Sequence, residues 1–170
     1  ELETEMPNIN ISFKLNKETG RPDTYLNNEN VENKIRTMEV SSHVSLVAAV
    51  SFVRAALVEQ QKKMGKDKGI VMDGRDIGTV GFPNAELKIF VTASPEVRAQ
   101  RRYDELMEKG MEADYNEILE NVKRRDYIDS HRDVSPLRKA DDAIELDNSN
   151  ISIEEQKQWL IKQYKRVCKK

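Results

Sequence analysis

The chain has 170 residues, with 28 Lys and Arg against 30 Asp and Glu, so its formal net charge is −2 with both histidines neutral. That length suits one domain, or one domain with a small inserted lobe, and the charge balance argues against a basic nucleic-acid binder. Charged residues make up 34% and apolar residues 38%, which supports a packed core beneath a strongly charged surface or site.

In chain order, Glu1 to Glu5 is acidic, and Asn8 to Leu15 then alternates apolar and polar residues as a half-buried strand does. Thr19-Gly20-Arg21-Pro22-Asp23 is turn chemistry, and Thr24 to Asn27 reads as a short returning strand, so a β-hairpin is expected. Val31 and Ile35 begin helical spacing, and Glu39 to Gly65 reads as one long helix with Ser51 as a mild interruption. From Gly69 the pattern changes to short apolar runs. Ile70-Val71-Met72 ends at Asp73-Gly74-Arg75-Asp76, Leu87 to Ala93 ends at Ser94-Pro95, and Ala143 to Leu146 ends at Asp147-Asn148-Ser149. Helical segments separate them, and Ile151 to Val167 closes the sequence as an amphipathic helix. Strands alternating with helices predict an α/β fold with a parallel sheet. Ligands collect at the carboxyl ends of such strands, where Arg75, Asp76, Ser94, Asp147 and Ser149 fall.

On the helical stretch from Tyr115 to Arg132, residues Arg125, Asp129 and Arg132 lie at i, i+4 and i+7 and share a face. Two guanidinium forks around one carboxylate suit a phosphate, or a ribose and a base edge; a salt-bridged, solvated face is the alternative. Arg98, Arg101 and Arg102 form a second basic row just after a strand, open to the same two readings. Asp73-Gly74-Arg75-Asp76 puts a sharp turn and an Arg/Asp pair at the sheet's working edge. Arg36, Ser45 and Arg54 on the upstream helical segments are further polar candidates. His43 and His131 have no partners at metal-ligand spacing, so no metal site is expected in this chain. The lone Cys168 allows no internal disulfide and has nothing to activate it, which fits a reducing, cytoplasmic location. No apolar run approaches the ~20 residues that span a bilayer, and no signal-peptide pattern opens the chain; no membrane partner is expected.

The segments IVMDGRDIGTVGFPNAELKIFVTAS (70–94), RAQRRYDEL, RRDYIDSHRDVSPLRKADDAIELDNS and SIEEQ resemble those of bacterial cytidylate kinases, a family of P-loop nucleoside monophosphate kinases. The resemblance runs from about residue 8 to the C-terminus. It implies phosphoryl transfer from ATP, with Mg2+, to CMP or dCMP, on a five-stranded parallel sheet carrying an inserted monophosphate-binding lobe and an arginine-bearing lid. It further implies that residues 1–66 hold the lobe and the helices after it, that 67–170 hold the rest of the core, and that the lid covers about 98–138. By position, Arg75 and Asp76 hold the substrate, Arg125 and Asp129 lie near the ribose with Arg132 on the same gripping face, and Arg36, Ser45 and Arg54 belong to the substrate lobe. Ser45 and Arg54 lie towards the base, and Arg98, Arg101 and Arg102 towards the ATP phosphates. Cytosine presents an N4 amino donor beside N3 and O2 acceptors, so Asp76 with Arg54 forms a matched reader that uracil would leave unpaired.

One part of the pattern is missing. None of the seven glycines opens a G-x-x-x-x-G-K-[ST] loop; the one Gly-Lys pair, Gly65-Lys66, precedes Asp67. That loop cradles the ATP phosphates and its Ser/Thr holds magnesium. The expectation is therefore a piece of a longer, monomeric kinase lacking its first βα unit, inactive alone and prone to self-association through bared strand edges. A kinase-derived module that binds nucleotide or a partner without catalysis is the second reading.

Overall fold

The computed structural model describes residues 2–168; Glu1, Lys169 and Lys170, and the side chains of Leu2 and Cys168, lie outside the described residues. The reading of Cys168 as an inert thiol therefore lies outside them as well. The backbone divides into two units, Glu1–Val71 and Met72–Lys170.

The first unit opens with a short helix α1, Leu2–Glu5, and a 3-10 turn. The alternating segment then forms β1, Ile11–Leu15, which pairs antiparallel with β2, Pro22–Leu26, Phe13 standing opposite Thr24. A two-residue strand β3, Glu29–Asn30, adds to β2. Gly20 closes the turn at φ 67°, a left-handed conformation that glycine adopts without steric cost. The expected single helix is in fact two, α2 at Met38–Ala48 and α3 at Ser51–Met64, bent by 99°. The break falls at Val50, whose φ of −72° and ψ of 118° are extended. Neither glycine nor proline marks it. Its compensation comes from further along the chain: Ala48 loses its helical donor at the bend, and Arg54 Nε donates to the Ala48 carbonyl at 3.0 Å. Gln60 of α3 donates to the Ile9 carbonyl at 2.9 Å, anchoring the helix at the start of β1. Met6, Val31, Val53 and Val58 form the buried apolar centre of this unit.

In the second unit β4, Ile89–Thr92, and β5, Ile144–Asp147, run parallel with Val91 opposite Leu146. A parallel pair needs a crossover, and here it consists of α4, Pro95–Glu108, and α5, Tyr115–His131. Both helices start as their sequences dictate. Ser94 Oγ accepts from the Val97 amide and an Asp114 carboxylate oxygen accepts from the Glu117 amide, each satisfying an orphan N–H. Ala99, Leu106, Ile118 and Leu146 are the buried apolar residues of this unit, α4 packs against α5, and Tyr103 meets Tyr115 edge-on at 6.5 Å. Helix α6, Ile153–Cys168, follows β5.

Two expectations are corrected. Ile70-Val71-Met72 forms no regular strand, and no strand among the described residues pairs with it; Val71 is fully exposed. The parallel sheet of the described residues accordingly has two strands where the resemblance implied five. The α/β character and parallel pairing stand. No single helix among the described residues is long and apolar enough to cross a membrane.

Candidate functional site

Arg75, Asp76 and Arg132 are gathered around Asp129 in the second unit. Asp129 sits in the last turn of α5 with its side chain 3% exposed. A carboxylate taken from water this completely must be paired and hydrogen-bonded, and two arginines do this. Arg75 Nε donates to Asp129 Oδ2 at 2.9 Å, and Arg132 Nη1 donates to Oδ1 at 3.5 Å. Arg132, also only 3% exposed, donates through Nε to the Ser135 carbonyl at 2.8 Å, and its Nη2 lies 3.9 Å from Asp76 Oδ1. Asp76, Arg132, Asp129 and Arg75 thus form a chain of alternating charge, buried at its centre and open at Arg75, whose side chain is 45% exposed.

The local backbone makes this possible. Arg132 is not on the helix: α5 ends at His131, and Arg132 is its C-cap in an extended conformation, φ −67° and ψ 146°. The shared-face reading of three residues therefore holds for Arg125 and Asp129 only. Beyond the cap, Ser135 takes φ 53° and the Leu137 amide donates to the Asp129 carbonyl at 2.7 Å. This folds the chain back so that the Arg132 guanidinium returns to Asp129. On the other side, Asp76 leads into one turn of π-helix, Ile77–Gly81, and its carbonyl accepts from Val80 at 2.8 Å and Thr79 at 3.1 Å. Such single π turns are frequent at functional sites. At Gly74 the backbone passes close to Ile77: a Cβ there would stand 3.3 Å from Ile77 Cβ, and the neighbour would have to give by a few tenths of an ångström.

Arg125, one turn before Asp129, is drawn below the ordinary arginine value, first by burial and then by repulsion from Arg75; Asp129 and Asp126 partly oppose the shift. Two guanidinium groups that raise each other's energy favour an anion placed between them.

The row Arg98, Arg101 and Arg102 lies on α4, each residue engaged within the unit. Arg98 donates to both carboxylate oxygens of Asp126 and, through Nε, to the Ala93 carbonyl at 3.1 Å. Its pKa is raised, chiefly by the hydrogen bond to Asp126. Arg101 binds the Asn148 side chain at 2.9 Å and its carbonyl, and Arg102 binds Glu105 at 2.8 Å. Asp126 and Asn148 were not singled out in the sequence; each stands beside residues that were, but nothing in their spacing announces a partner on α4. The β4 and β5 ends do meet, the Ser94 amide donating to Ser149 Oγ at 3.1 Å.

Arg36, Ser45 and Arg54 belong to the first unit. Arg36 pairs with Glu32, Nε at 3.0 Å from Oε1, with its side chain 57% exposed. Ser45 is buried on α2, and Arg54 spans the α2–α3 bend. Among the described residues no three His, Cys, Asp or Glu side chains stand together as a metal site.

The family model for cytidylate kinase matches residues 2–166. The chain is 68% identical over 168 residues to a cytidylate kinase of Bacteroides thetaiotaomicron, covering 99% of this chain and 73% of that protein. It is 69% identical over 163 residues to one of Phocaeicola vulgatus, covering 96% and 71%. A third, of Porphyromonas gingivalis, is 58% identical over 167 residues, covering 98% and 72%. The chain belongs to the cytidylate kinase family.

Proposed function

We propose that this protein binds CMP or dCMP and places its phosphate to receive the γ-phosphoryl group of ATP, giving CDP or dCDP and ADP. An oxygen of the monophosphate forms the new bond to the γ-phosphorus. The bond from that phosphorus to the β–γ bridging oxygen breaks, and ADP leaves with the electron pair. Catalysis of this reaction is mostly positioning and charge stabilisation, which is what arginines can supply. The observation that carries the reading is the buried Asp129 carboxylate held between Arg75 and Arg132, on the two motifs most typical of the family.

On this reading Arg75 and Arg125 present guanidinium groups to the nucleotide, with Asp129 and Arg132 behind them. Asp129, enclosed by its two arginines, fixes their orientation; a ribose hydroxyl would have to share an oxygen already in use. Arg36, Ser45 and Arg54 complete the substrate side from residues 1–66, and Asp76 with Arg54 reads the cytosine edge. The segment from about 98 to 138 acts as the lid, with Arg98, Arg101 and Arg102 on the side of the ATP phosphates. Mg2+ has no protein ligand set among the described residues, and in this reading it is the counter-ion of ATP. A cytoplasmic location is part of the proposal.

Calorimetric titration of Asp76→Ala with CMP and UMP tests the reading. The wild type binds CMP in preference to UMP, and the variant loses most of that preference, on the order of 10²-fold or more, because the carboxylate that accepts from N4 is gone. A CMP preference that survives the substitution overturns the base-reading role.

A further inference from the structure

We infer that Asp126 is a positioning residue for nucleotide binding: by holding Arg98 it fixes α5, and with it Arg125 and Asp129, against the end of β4. The inference rests on the proposed use of Arg125 as a substrate contact and of Asp129 as the carboxylate that orients Arg75.

Arg98 makes three hydrogen bonds in two directions. Its Nε donates to the Ala93 carbonyl at 3.1 Å, just past the last residue of β4, and its two terminal nitrogens grip both oxygens of Asp126 on α5. The pair is about two-thirds buried at each partner, with side chains 35% and 34% exposed. A bidentate Arg–carboxylate pair constrains orientation as well as distance, and here it links the sheet edge to a helix 28 residues further along the chain. Asp126 precedes Asp129 by three residues, and Arg125 is its immediate neighbour. A rotation of α5 that broke the Arg98 fork would move Arg125 and Asp129 with it.

The same geometry gives the alternative a distinct signature. If Arg98 acted as a cation on the CMP phosphate, Asp126 would be a competitor, and removing its charge would release Arg98 and strengthen CMP binding. Charge alone argues the same way, because Asp126→Asn removes a negative charge from beside an anion site. Positioning predicts the opposite sign.

The test is calorimetric titration of the full chain with CMP, with thermal melts run on every protein. Asp126→Asn is expected to weaken CMP binding roughly ten-fold, the scale of coupling between residues in one network. Arg98→Lys, which keeps the charge and loses the fork, is expected to weaken it as much, and Arg98→Lys with Asp126→Asn no more than either single change. Asp126→Glu, which restores a carboxylate, is expected to recover most of the loss. Melting temperatures close to the wild type accompany these changes. Unchanged or tighter CMP binding by Asp126→Asn overturns the inference, and so does near-normal binding by Arg98→Lys. A wild type that binds no CMP overturns the substrate assignment on which the inference stands, which separates the two failures.

Discussion

In the first unit Arg36 lies along Glu32 in an ion pair open to water, whereas in the second Arg132 and Asp129 meet with side chains only 3% exposed each. Both are arginine–carboxylate pairs within four residues of sequence, and their physics differs. The exposed pair gains little beyond what water already offers and contributes ~0–1 kcal/mol. The buried pair carries a desolvation cost of several kcal/mol per ion, offset only if every partner stays in place. Here Ser135, Asp76 and Arg75 supply the remaining contacts. A buried network of this kind is hard to rebuild piecemeal, so it marks the part of the molecule where geometry has to be kept.

The largest expected effect follows directly. Asp129→Ala leaves Arg132 buried with its nearest carboxylate removed and leaves Arg75 without the oxygen that orients it. Urea unfolding should show a loss of about 3 kcal/mol, and calorimetry should show CMP binding reduced beyond detection. A variant that unfolds at the wild-type midpoint would mean that the site relaxes freely, and the contrast between the two units would disappear.

The same contrast explains what could be read in the sequence. The β1–β2 hairpin, α4, α5 and the β4/β5 segments were legible because their signals are local: alternation, a turn rich in Gly and Pro, short apolar runs, and the Ser94-Pro95 break after the second of them. The α2–α3 break was not, because Ala48-Ala49-Val50 contains no helix breaker and the bend is stabilised by Arg54, a residue beyond it. Ile70-Val71-Met72 has strand composition, but a strand is defined by its partner, which composition cannot supply. At the site, the motif residues Arg75, Asp76, Asp129 and Arg132 were identified and do converge. Arg132 escaped the helical reading because the turn at Ser135 carries it off α5, and Asp126 escaped notice because its role depends on Arg98, a residue on another helix.

An intermediate effect is expected at the bend. Arg54→Ala removes the one donor seen on the Ala48 carbonyl at the end of α2, a loss of about 1 kcal/mol in urea unfolding. Because Arg54 is also proposed to face the base, CMP affinity should fall more than this destabilisation alone explains. Equal losses for CMP and UMP would limit Arg54 to shaping the bend.

The smallest effect is one of pH. Glu32 Oε2 accepts from the Thr24 amide at 3.0 Å and from its hydroxyl at 2.8 Å, while Oε1 takes Arg36. The Arg36 hydrogen bond first, then the Thr24 hydroxyl, hold the Glu32 carboxyl below its ordinary value of 4.5. A group depressed in the folded state stabilises above its unfolded value, and that contribution is lost as the pH falls through the folded value. The ion-pair share is small because Arg36 is mostly exposed, so the total should be about 1 kcal/mol. Urea midpoints of the wild type and Glu32→Gln, compared from about pH 6 down to about pH 3, isolate this share, because the other carboxylates titrate in both proteins. The wild-type advantage should shrink towards acid pH. If the two proteins instead keep a constant difference, Glu32 is not held by its charge, and the exposed pair contributes nothing that titrates.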